Sequence, residues 1–92
     1  MIENFKHRGL QRFYENNDRS GLNPEYVKKI KTILSMLDAA ETPEEMAVAT
    51  FRFHALTGDR RGTYSVTVRA NWRITFEFRR SNACDVNLED YH

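Results

Sequence analysis

Two hydrophobic periods along one chain predict an α+β fold, with helices packed on one face of a mainly antiparallel β-sheet. Before Ala49 the apolar residues recur at helical spacing, and from Tyr64 onward they alternate with a period of two. Turn-forming residues separate the segments. Ninety-two residues suit one domain spanning 1–92, with a single core that removes roughly 60–65% of the unfolded surface from water.

Met1 to Phe5 is expected to form a short first strand. Leu10, Phe13 and Tyr14 then fall on one helical face, which predicts a first helix from Lys6 to Asn16. Asp18-Arg19-Ser20-Gly21 reads as a loop. Asn23 and Pro24 supply an N-cap and a proline at the first helical position, and Val27, Ile30, Ile33, Leu34 and Leu37 continue as one apolar stripe to about Ala40. Lys28, Lys29 and Lys31 lie largely off that stripe. Thr42-Pro43-Glu44-Glu45 has the pattern of a capping box, Thr42 reaching forward and Glu45 back, and predicts a short third helical turn.

The second half reads as a meander of three strands. Tyr64, Val66 and Val68 alternate with Ser65, Thr67 and Arg69. After a turn at Ala70-Asn71, Trp72, Ile74, Phe76 and Phe78 alternate with Arg73, Thr75, Glu77 and Arg79. Ser81-Asn82 marks the next turn, and Cys84, Val86 and Leu88 carry the third strand to Asp90. The same alternation turns Cys84 toward the core as a small hydrophobe. The opposite face of the sheet is expected to be wet and to present Arg69, Arg73 and Arg79.

Composition excludes several classes of protein. Hydrophobic residues make up 40% and charged residues 29%, with two prolines and four glycines, which is globular rather than disordered. No apolar run approaches a membrane span, and charge within Met1–Lys6 argues against a signal peptide, so the expected compartment is the cytoplasm. A lone cysteine cannot form an internal disulfide. The net charge of +1 conceals an asymmetry: residues 52–80 hold seven arginines against Asp59 and Glu77, a net of +5, whereas the remainder has a net of −4. Such an arginine-only cluster favours a polyanion, because the planar guanidinium matches phosphate and stacks on bases. Arg60, Arg61, Arg69 and Arg79 are therefore candidate RNA- or ribosome-binding residues.

RNA can be cut by its own 2′-hydroxyl. One group must take that proton, another must protonate the departing 5′ oxygen, and a fixed cation must neutralise the charge that builds on phosphorus. Histidine serves both proton steps near neutral pH, and arginine offers paired donors to phosphate. His54, His92 and Arg73 supply this set. Asp90 can orient a histidine or exchange a proton, and Tyr91 can stack on a base or donate through its hydroxyl. These roles are interchangeable at the level of sequence. No metal site is expected, because His54 and His92 lack Cys or His partners at ligand spacing. No cofactor is implied, and His7 has no visible partner.

Leu56-Thr57-Gly58-Asp59-Arg60-Arg61-Gly62-Thr63-Tyr64-Ser65-Val66-Thr67-Val68, then Asn71-Trp72-Arg73-Ile74-Thr75-Phe76, and finally Asp90-Tyr91-His92 resemble the HigB family of killer toxins in the RelE superfamily. The likeness is close over residues 51–92, and the first half agrees in length, helix pattern and its Met1-Ile2 opening. The resemblance implies a RelE-like fold and ribosome-dependent cleavage of messenger RNA in the bacterial cytoplasm. It also implies neutralisation by a HigA-type helix-turn-helix antitoxin, and contact with operator DNA only through the toxin–antitoxin complex. Carried onto this chain, it places catalytic weight on His54, Asp90, Tyr91 and His92, with Arg73 as phosphate-binding partner and Arg60 as a further candidate. Thr57 stands where some relatives bear lysine, which removes a possible phosphate contact. The alternative is a noncatalytic module that inhibits translation by binding; binding needs the arginines but gives no reason for Asp90, Tyr91 and His92 together.

Overall fold

A computed structural model describes residues 1–90 of the chain. Two helices, α1 (Arg8–Asn16) and α2 (Val27–Ala39), pack on one face of an antiparallel sheet of four strands: β1 (His54–Ala55), β2 (Tyr64–Arg69), β3 (Trp72–Arg79) and β4 (Asn82–Asp90), in that spatial order. The stripe of Val27, Ile30, Ile33, Leu34 and Leu37 is buried as predicted, together with Leu10 and Phe13 of α1 and with Val66, Val68, Ile74, Phe76, Ala83 and Val86 of the sheet. Burial of these side chains is the main stabilising term, at roughly 1.5–3 kcal/mol for each large one.

Local capping explains where the helices begin. Asn23 Oδ1 accepts from the Glu25 amide at 2.9 Å and opens a 3-10 turn at Pro24–Tyr26 that runs into α2. The carboxylate of Glu45 accepts from the amides of Glu41 and Thr42 at 3.0 and 3.1 Å, which holds a 3-10 turn at Pro43–Met46. α1 starts at Arg8 rather than Lys6, because His7 is its cap: His7 Nδ1 accepts from the Leu10 amide at 3.1 Å. His7 therefore has a structural partner that its sequence context did not reveal.

The N-terminal segment lies parallel to β4, as a predicted edge, but its pairing consists of two isolated bridges, Ile2 to Ala83 and Phe5 to Val86. Asp38 of α2 fastens this segment by accepting from the Ile2 amide at 3.0 Å and from the Tyr14 hydroxyl at 2.6 Å.

Bulges change which face several residues occupy. The register between β2 and β3 slips after Thr67, so Arg69 pairs with Trp72 and leaves the face of Arg73. It borders a separate groove with Lys28, Lys29 and Phe51, which overturns its expected place beside Arg73. A second slip, with Asp85 at φ 53°, puts Cys84 opposite Glu77. Cys84 is buried as expected, but on the face turned away from the helices. Arg80 and Ser81, at φ 52° and 67°, make the two-residue turn one position earlier than the sequence suggested. The short strand β1 was not foreseen, because two residues cannot establish an alternation.

A candidate RNA-cleavage cleft on the polar sheet face

Strand pairing assembles the site from three stretches distant in sequence. His54 lies opposite Ser65, Ser65 opposite Thr75, and Thr67 opposite Arg73, which in turn lies opposite Glu89. Directly paired residues share a face, so these side chains converge on the polar side of the sheet. A cleft of about 210 Å³ opens there, lined by His54, Leu56, Arg60, Ser65, Arg73, Thr75 and Glu89.

An aromatic ladder on the opposite face sets the position of β1. Phe53 stacks on Tyr64 at 5.6 Å between ring centroids, Tyr64 on Phe76 at 5.9 Å, and Phe76 meets Phe78 edge-on at 6.0 Å. With Phe53 held on that side, the next residue, His54, faces the cleft. The His54 ring is oriented by the backbone: its Nδ1 is 2.8 Å from the carbonyl oxygen of Arg52. A carbonyl only accepts, so Nδ1 carries the proton and Nε2 of the neutral ring keeps the lone pair.

Arg60 reaches the cleft from a 3-10 turn at Gly58–Arg60, bounded by Gly58 at φ 64° and Gly62 at φ 94°, where side chains with a Cβ are strained. Its guanidinium meets both carboxylate oxygens of Glu89, at 2.9 and 2.7 Å. The Thr75 hydroxyl donates to the same carboxylate at 2.6 Å. The hydrogen bonds from Arg60 are the largest cause that draws the Glu89 carboxyl down to about 2, and those from Thr75 add to it against the cost of burial. Glu89 is thus an anion at any working pH and unfit for proton transfer. Arg73 is half-buried and donates from Nη1 to Thr67 Oγ1 at 3.1 Å. Ser65 Oγ lies buried without a hydrogen-bond partner among the described residues.

The remaining sequence candidates fall in different places. Asp90 pairs with Trp72, so strand alternation gives it the face opposite Arg73 and Glu89. Arg79 shares the face of Arg73 but lies at the far end of β3, where it pairs with Asp85 at 2.9 Å. Arg61 is exposed on the turn beside Arg60 and does not line the cleft. Tyr91 and His92 lie outside the described residues. Sequence reasoning missed Ser65, Thr75 and Glu89. Alternation alone placed all three opposite the core, and the only further signal was their concentration in strands that also carry Arg73.

The described residues thus form a helix-backed α+β sheet with a charged cleft on its polar face. A solved structure of a YoeB dimer from Staphylococcus aureus shares this fold at a TM-score of 0.60 and 18% identity, over 99% of this chain and 94% of that one. The chain belongs to the HigB-like toxins, RelE-like toxins of type II toxin–antitoxin systems, whose family model matches residues 3–92. It is 44% identical over its whole length to an endoribonuclease HigB of Proteus vulgaris, covering all of that protein as well. A toxin named HigB-1 from Vibrio cholerae is 28% identical over 99% of this chain and 98% of that one.

Proposed function

We propose that this HigB-like endoribonuclease cuts messenger RNA on the translating ribosome, by attack of a ribose 2′-hydroxyl on the adjacent phosphate. His54 takes the 2′-hydroxyl proton through Nε2, and the 2′ oxygen bonds to phosphorus as the bond to the 5′ oxygen breaks. That oxygen leaves with a proton from the terminal group, in which His92 is the donor and Asp90 and Tyr91 assist it. Arg73 offsets the negative charge gathered on the phosphorane. The products are a 2′,3′-cyclic phosphate and a 5′-hydroxyl, and the steps need no metal.

The convergence of an oriented histidine and a half-buried arginine on one cleft supports this reading most directly. The partner is a HigA-type helix-turn-helix antitoxin that neutralises the toxin, and operator DNA is contacted through the complex. The setting is the cytoplasm; among the described residues no helix is long and apolar enough to cross a membrane.

Mapping cleavage ends on a message with and without translating ribosomes tests the proposal. Cuts confined to translated message are expected. Equal cutting of naked RNA would remove the ribosome from the reading, and stalled ribosomes on intact message would replace catalysis with inhibition by binding.

A further inference from the structure

A carboxylate inside a cleft that receives RNA calls for explanation, since it repels the substrate and weakens any phosphate contact made by neighbouring arginines. Glu89 is such a group. It lines the same cleft as His54 and Arg73, with about a quarter of its side chain exposed to solvent. Proton transfer is not its task, because Arg60 and Thr75 hold it ionised. Its geometry indicates another: two oxygens engage two nitrogens of one guanidinium, and one of those oxygens also receives the Thr75 hydroxyl. A fork–fork pair of this kind fixes both the position and the plane of the arginine, which a single hydrogen bond would leave free to rotate.

Without that clamp, Arg60 would be a long side chain on an exposed turn. Ordering it only when substrate arrives would cost rotamer entropy in the step that stabilises the transition state. With it, a guanidinium that comes from a loop is registered against β3 and β4. We infer that Glu89 is a positioning residue for the cleavage reaction, holding Arg60 at a set angle in the cleft beside Arg73, so that two guanidinium groups address the scissile phosphate. Thr75 holds the clamp from below, as a hydroxyl donor fixed on the central strand.

This inference rests on the cleft being the RNA-cleaving site, and the test separates the two. Wild type and His54→Ala are compared first on a translated message. Absence of cutting by wild type, or full activity of His54→Ala, would overturn both the cleft assignment and the inference. Glu89→Gln, Glu89→Ala, Arg60→Ala and the Arg60→Ala/Glu89→Ala double variant are then measured in the full chain by single-turnover cleavage across toxin concentrations.

A positioning role predicts that Glu89→Gln lowers the saturating rate about tenfold or more while shifting the half-saturating concentration less than about twofold. Glu89→Ala and Arg60→Ala should each lose about as much as the double variant, because both break one unit. A full rate in Glu89→Gln, a change confined to half-saturation, or losses that multiply in the double variant would each refute it. If Glu89→Ala fails to fold, Glu89→Gln, which keeps the shape and an acceptor oxygen, decides the outcome by the same split.

Discussion

His54 Nδ1 and the carbonyl oxygen of Arg52 lie 2.8 Å apart, with Arg52 itself in the left-handed region at φ 50°. The backbone thereby selects the tautomer of a side chain two residues ahead. An imidazole held this way is ready to take a proton at Nε2. His54→Ala should reduce single-turnover cleavage by roughly 10²–10⁴-fold, the usual range for loss of a general base. Because the residue is exposed, stability should change by less than about 0.5 kcal/mol, as read from denaturant midpoints. An unchanged cleavage rate would remove His54 from the proton path.

Arg73 differs from the other arginines in being half-buried and tied to Thr67 across the strand pair. Arg73→Ala should abolish growth arrest on induction while the purified protein keeps its circular dichroism spectrum. Arg73→Lys should restore little, because an ammonium group offers phosphate a point charge without the planar fork. Arrest at wild-type strength from either variant would count against a phosphate-binding role.

His7 connects stability to mild acid. Burial first, and then the nearby Arg12, lowers its pKa, so the folded state favours the neutral ring that caps α1. The sign follows: a group that binds its proton less readily when folded contributes fully above its unfolded value near 6.5, and this contribution falls as the pH drops below it. Denaturation followed between pH 7.5 and 5 should show that decline in wild type. His7→Asn, whose amide oxygen can still accept from the helix, should flatten it, and His7→Ala should lose about 1 kcal/mol even at pH 7.5.

At the other extreme of pH, Tyr14 provides a spectroscopic marker. Its hydrogen bond to the Asp38 carboxylate raises its pKa to about 12. Ultraviolet titration should therefore show one tyrosine that ionises well after those near 10, and Tyr14→Phe should remove that late step. A raised pKa means that the contribution is complete below 10 and disappears as the pH climbs through 12. The same substitution should cost about 1 kcal/mol or less at neutral pH, the usual net worth of one hydrogen bond.

Much of the architecture can be read from the chain alone. The stripe on α2, the alternation along β2 and β3, and the caps at Asn23 and Glu45 are local patterns, and local sterics and hydrophobicity are enough to interpret them. His54 and Arg73 were also recoverable, because a histidine and an arginine-rich stretch stand out by residue type. His7 was not, since a cap partner is recognised by geometry rather than identity.

Amino-acid order by itself determined the class of fold, the members of the core and the chemical types available for cutting RNA. Three-dimensional folding decided which of those types meet. One slipped register carried Arg69 to the other side of the sheet, another turned Cys84 away from the helices, and strand pairing brought Glu89 to Arg60 across 29 intervening positions of sequence. The reason is physical: a bulge inverts every face assignment beyond it, and an ion pair forms wherever two distant segments happen to be packed side by side.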